Sequence, residues 1–270
     1  MNWTKIHFSR IQLYISFAAF IQAAAGFTLL KVQIDWQYSL ACAITTCIIY
    51  TLFRSTYLVY RLRMGILEIL ICLGVVFLWV CLAPQYLLPI SVLGILVSLY
   101  ALPIPKIGIS LRQILGLKII IISFIWLSIG YLLPALVLDQ TIDFFLVAAK
   151  FMYFLGLCFA CDAVDLIQDQ RNEQHNVASY LSWSGNKIAL IAIWVLAIVI
   201  YSLSYFLNNL NGYELMARFS GPLMSIVYII ARNQIPTRRT IQIALDGSII
   251  VQGFMVILSS NIEIVSNYFK

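Results

Sequence analysis

Asp143–Arg171 reads DFFLVAAKFMYFLGLCFACDAVDLIQDQR. The apolar run over 143–161 is long enough to cross a hydrocarbon core of about 30 Å at about 1.5 Å per helical residue. It ends in three aspartates, Asp162, Asp165 and Asp169. The whole chain holds only 11 acidic side chains in 270 residues, so carboxylates gathered at the end of an apolar run need a reason.

Composition sets the solvent. Hydrophobic residues make up 62% of the chain and charged residues 10%, with a mean hydropathy of +0.95. A soluble domain carries about 25% charged residues, so the chain reads as an all-α, polytopic membrane protein. Its length fits one transmembrane helical domain over 1–270. Apolar runs predict nine spans, over 11–30, 36–56, 64–82, 86–103, 117–137, 143–161, 187–207, 217–231 and 239–259. The first follows a basic start and is read as a helix rather than a cleaved leader. Pro84, Pro103, Pro105 and Pro236 fall at or near the proposed turns.

Of the 17 basic residues, only Lys31, Arg218 and Lys270 fall on the side opposite the N-terminus, and Lys150 lies within a span. The other thirteen share the N-terminal side, which predicts a cytoplasmic N-terminus by the positive-inside rule. The net charge of +6 then reports topology rather than nucleic-acid binding. The aspartates fall at the cytoplasmic end of the sixth span, and the membrane implied is a bacterial cytoplasmic (inner) membrane. The six cysteines, Cys42, Cys47, Cys72, Cys81, Cys158 and Cys161, lie in or beside apolar runs and read as small buried residues rather than disulfides.

If the sixth helix continues past Cys161, Asp162, Asp165 and Asp169 share one face, at 300° and 700° from the first at about 100° per residue. Carboxylates are Mg²⁺ ligands, and Mg²⁺ takes one or two of them together with substrate phosphates. Aspartates at a helix C-terminus also oppose the helix dipole and call for a cation. The alternative is a solvated loop, with Arg171 or Lys187 as partners. Upstream, Tyr100–Lys118 reads YALPIPKIGISLRQILGLK and holds Lys106, Arg112, Gln113 and Lys118. Cations facing carboxylates across a cavity suit a diphosphate. Ordinary positive-inside charge is the plainer reading of the segment.

The pattern Asp162-x-x-Asp165-x-x-x-Asp169, followed by Arg171 and by Gly185 at the next span, resembles the second aspartate motif of the UbiA superfamily of intramembrane prenyltransferases. The Tyr100…Lys106…Gln113…Gly116 segment is similar to that family's loop between helices four and five. Trp126, Pro134 and Asp246-Gly247 add to the resemblance. It implies Mg²⁺ on Asp162, Asp165 and Asp169, with Asp162 and Asp165 catalytic. It implies a prenyl diphosphate donor and a hydrophobic, aromatic acceptor as partners, the prenyl group passing from one to the other through an allylic cation.

The chain departs from the family where a first acid-rich motif is expected. Thr46–Arg63 reads TCIIYTLFRSTYLVYRLR, with no Asp, Asn or Glu. Arg54 and Arg61 are read there as diphosphate clamps beside Lys106 and Arg112. Glu68 is a further candidate ligand. Lys150 and Asp246 are intramembrane ionisable groups, each a functional candidate or a buried structural partner. Lys150 lies about 18 Å along the helix from Asp162, too far for the same phosphate site. Two functions compete with prenyl transfer: a catalytically silent UbiA-fold protein binding a lipid or a partner, and a transporter. The CDP-alcohol phosphotransferases are excluded, because no Asp-Gly and Ala-Arg arrangement precedes Asp162.

Overall fold

The computed structural model describes residues 10–59, 66–101, 111, 114, 116–171, 177–208, 211–232 and 234–268. Within these, the side chains of 10, 11, 52–59, 66–72, 101, 165–171, 177, 238, 239 and 263–268 lie outside the description. Among the described residues the chain forms helices and no strand. They are α1 (Arg10–Leu29), α2 (Trp36–Val59), α3 (Ile66–Leu82), α4 (Leu87–Ala101), α5 (Leu117–Val137), α6 (Phe144–Arg171), α7 (Trp183–Asn208), α8 (Gly212–Ile230) and α9 (Arg238–Tyr268). α5 is one rod with a π turn at Ser128–Leu132.

Helix starts are written in polar residues. Asp35 accepts from Tyr38 N at 2.9 Å, Asp143 from Phe145 N and Leu146 N, and Asn211 from Glu214 N at 2.8 Å. Ser182 and Thr237 do the same for Gly185 N and Thr240 N. Each satisfies an amide that has no partner inside its own helix. The caps correct the expected starts of α7 and α8. Both begin about one turn before the apolar run, because a helix begins at its cap and not where hydropathy rises. α6 and α9 also outrun their apolar segments at the C-terminal end.

Each helix packs on the next, from α1 through to α9, and α9 closes back onto α1. The result is a ring. Contacts of α1 with α5 and of α6 with α9 bridge its inside. One apolar cluster joins α5 to α9, around Tyr153, Phe154, Leu190, Trp194 and Tyr201. A second joins α1 to α4, around Phe27, Tyr38, Trp79 and Tyr86. Five of the described helices, α1, α5, α6, α7 and α9, are long and apolar enough to cross a membrane. Phe77, Leu88, Ile95 and Phe206 are exposed on helices, as a lipid-facing surface requires. The protein is an integral membrane protein.

Glycines set the closest approaches between helices, Gly26 and Gly156 among them. A Cβ at Gly26 would fall on the Gly130 carbonyl, so α1 meets the π turn of α5 backbone to backbone. A Cβ at Gly156 would fall on the Trp194 indole, whose Nε1 donates to Tyr153 O at 3.3 Å. The π turn disturbs the carbonyl ladder, and the Tyr38 hydroxyl donates to Ile129 O at 2.9 Å there. Gly26→Val is expected to cost about 1–3 kcal/mol by overpacking a site where no flexible side chain can yield. A lowered melting temperature of the detergent-purified protein is the readout.

Candidate functional site

α5 and α6 form an antiparallel hairpin, and three contacts fix its register. Lys118 Nζ lies 2.5 Å from Asp162 Oδ1. The Cys158 thiol hydrogen-bonds Ser123. Trp126 stacks on Phe154 with ring centroids 5.9 Å apart. The pair Lys118–Asp162 is mostly enclosed, with side-chain exposures of 24% and 7%. A carboxylate taken this far from water needs a compensating charge, and Lys118 supplies it. Asp246, in the early turns of α9, lies within electrostatic range of Cys158, Tyr153 and Tyr14. The Tyr14 hydroxyl lies against Gly247. Thus α1, α5, α6 and α9 bring Tyr14, Lys118, Cys158, Asp162 and Asp246 to one end of the ring.

α6 continues unbroken to Arg171, so the spacing of Asp162, Asp165 and Asp169 is a helical spacing. This corrects one expectation. Asp162 sits more than two turns before the helix end, beyond the reach of the C-terminal dipole. Its cation answers burial instead. The Lys187 ammonium donates to Arg232 O at 2.8 Å. The side chains of Asp165, Asp169, Arg54 and Glu68 lie outside the description, and Arg61, Lys106 and Arg112 lie outside the described residues altogether. The alternation of the chain carries the C-terminal end of α2 and the start of α3 to the same end of the ring as Asp162.

Lys150 is elsewhere. It is 2% exposed, so its amine is a buried partner and not a snorkelling one. It donates to Gln22 Oε1 at 3.1 Å and lies 5.9 Å from the Phe154 ring centroid. Gln22 Nε2 donates to Gln252 Oε1 at 3.3 Å, and Gln252 Nε2 donates to Arg218 O at 2.8 Å. Arg218 is itself buried and donates to Ser204 Oγ at 3.1 Å, which donates to Asp143 Oδ2 at 2.7 Å. This ladder ties α1, α6, α7, α8 and α9 together and runs away from Asp162. A small polar cleft at its far end is lined by Thr28, Glu214, Arg218, Ser259 and Ser260. In the sequence Arg218 reads only as a charge on the far side, and its place in an apolar helix is the signal of an intramembrane ionisable group.

Among the described residues no group of three or more His, Cys, Asp or Glu side chains stands ready for a metal. The expectation of Mg²⁺ rests on Asp162, Asp165 and Asp169 together, and of these only the Asp162 side chain is described.

The ring matches, with a TM-score of 0.64, a solved structure titled as a UbiA homolog from Archaeoglobus fulgidus bound to Cd²⁺. The match covers 93% of this chain and 98% of that one, at 13% identity. The fold is UbiA-like. No family model matches the sequence, and no curated protein matches it either. The UbiA-like ring places the Asp162 end of α6, the first turn of α5 and the early turns of α1 and α9 together.

The ladder through Gln22 gives a test of the core. Gln22→Leu removes the acceptor of a buried ammonium and is expected to cost about 1–3 kcal/mol. Adding Lys150→Met removes the stranded charge and should recover part of that loss. Melting temperatures of the two single variants and the double variant form the cycle, and simple additivity would deny the coupling.

Proposed function

We propose that the protein is a UbiA-like prenyltransferase that binds an isoprenoid diphosphate and passes its prenyl group to a lipid-soluble, aromatic acceptor. The observation that carries this reading is the enclosed Lys118–Asp162 pair at one end of a UbiA-like ring. A charged pair at the head of an apolar hairpin supports a ligand with an anionic head and a hydrocarbon tail. The thirteen basic residues on the N-terminal side support a cytoplasmic position for this end, in a bacterial cytoplasmic membrane.

The chemistry asks little of the protein beyond charge and dryness. The allylic C–O bond breaks, and its electron pair leaves with the diphosphate. The acceptor carbon then bonds to the allylic cation and releases a proton. Cationic side chains at the Asp162 end offset the charge growing on the leaving group. Trp126, partly buried and backed by the buried Phe154, continues inward from the pair along the hairpin, and an aromatic face there would suit a cation and help to exclude water. Arg54, Arg61, Lys106 and Arg112 are the further cations that this reading draws on from the sequence. Mg²⁺ on Asp165 and Asp169 would neutralise diphosphate charge.

A second reading has an observation of its own. Asp162 is already neutralised by Lys118, and Thr46–Arg63 contains no acid. Both features suit a protein that keeps the ring and binds a lipid without transferring a prenyl group. Farnesyl diphosphate separates the two. For the transferase, the purified protein in lipid nanodiscs binds it saturably, at least about tenfold tighter than farnesol. Diphosphate release then follows when a lipid-soluble phenol or quinol acceptor is added. Binding of farnesol and its diphosphate with equal affinity, and no diphosphate release, leaves the lipid-binding protein.

A further inference from the structure

We infer that the cleft between α1, α8 and α9, at the far end of the ring from Asp162, is the binding site of one water molecule that bridges Arg218 to Glu214. The site is independent of the prenyl diphosphate reading. Its chemistry calls for a small neutral molecule that both accepts and donates hydrogen bonds, and its size selects water.

Three observations lead there. First, Arg218 is 5% exposed and lines the cleft. Its Nη1 donates to Ser204 Oγ at 3.1 Å, but its Nε–H finds no partner among the described residues. A buried donor on a charged group needs an acceptor. Second, the same cleft holds an orphan of the opposite kind. Glu214, one turn earlier on α8, presents a buried Oε2 that also lacks a partner among the described residues. Its Oε1 lies 3.9 Å from Lys31 Nζ. Third, the space is of the right size. About 10 Å³ of the cleft is open to the centre of a water molecule, and one water needs about 10–15 Å³ of such space.

The charges lining the cleft select against ions. A cation there would face the Arg218 guanidinium, and an anion would face the Glu214 carboxylate. Water serves both, accepting from Arg218 Nε–H and donating to Glu214 Oε2. Ser259 and Ser260 already donate to Val256 O at 2.8 Å and Ile257 O at 3.0 Å, so their oxygens remain as acceptors for the second proton of the water. The water also extends the buried ladder. Lys150, Gln22 and Gln252 lead to Arg218, and the bridge carries that line on to Glu214 and the exposed Lys31.

The test is an experimental structure of the full chain in nanodiscs, at a resolution of about 2 Å that shows ordered water. The expected result is one isolated peak at about 2.7–3.2 Å from both Arg218 Nε and Glu214 Oε2. Direct contact between the two side chains with no peak overturns the inference. So does density too large for one water, such as a lipid head group or a buffer ion. The wild-type structure needs no variant. Melting temperatures give a second readout whose sign differs between a wet and a dry cleft. Ser260→Val adds apolar volume that would expel the water and strand both orphans, so it should melt at least about 3 °C below Ser260→Ala. In a dry cleft the added volume fills space, and Ser260→Val melting level with or above Ser260→Ala would overturn the inference.

Discussion

Inside a bilayer a buried polar group has no water to turn to, so each must find its partner in the protein. The rest of this structure follows from that constraint. It makes the chain helical and places Asp35, Asp143, Ser182, Asn211 and Thr237 at helix starts. It brings the Tyr38 hydroxyl to the Ile129 carbonyl, where the π turn interrupts the ladder. It strings Lys150, Gln22, Gln252 and Arg218 into one line. The same constraint explains why Asp162 and Lys118 meet. The pair joins the first turn of α5 to the face of α6, and so closes the hairpin at the end opposite its turn.

The helices were legible because lipid demands long apolar runs, and the described helices follow the order of those runs, five of them long and apolar enough to cross a membrane. Their ends were less legible. Hydropathy is blind to a cap, so Trp183 and Gly212 begin helices that the apolar pattern starts later. It is also blind to a polar helix that continues into water, so α6 and α9 run on beyond their apolar segments. The depth of Lys150 was readable, but its partner was not, because Gln22 is far away in sequence and carries no charge.

The site was legible in part, and for a physical reason. Spacing alone put Asp162, Asp165 and Asp169 on one helical face. The partner of Asp162 was hidden inside a basic segment whose charges looked alike. Hairpin geometry could have singled it out. The tight turn around Asp139 and Gln140 reverses the chain, and Lys118 and Asp162 are equidistant in sequence from Gln140. Antiparallel packing then brings that lysine to the aspartate. The cation that meets Asp162 is a side chain, and it answers the burial of that carboxylate.

The π turn of α5 has a consequence for phase. A π turn inserts one extra residue, and each residue advances a helix by about 100°. The faces of α5 before and after Ser128–Leu132 are therefore out of step with one regular helix. Ser128–Leu132 acts as a rotary joint, locked by Gly26 on one side and Tyr38 on the other. The half that carries Lys118 packs on α4 and α6, the π turn packs on α1, and Leu133 beyond it joins the α1–α4 cluster. One helix thereby serves both sides of the ring, with its phase reset between Lys118 and Leu133.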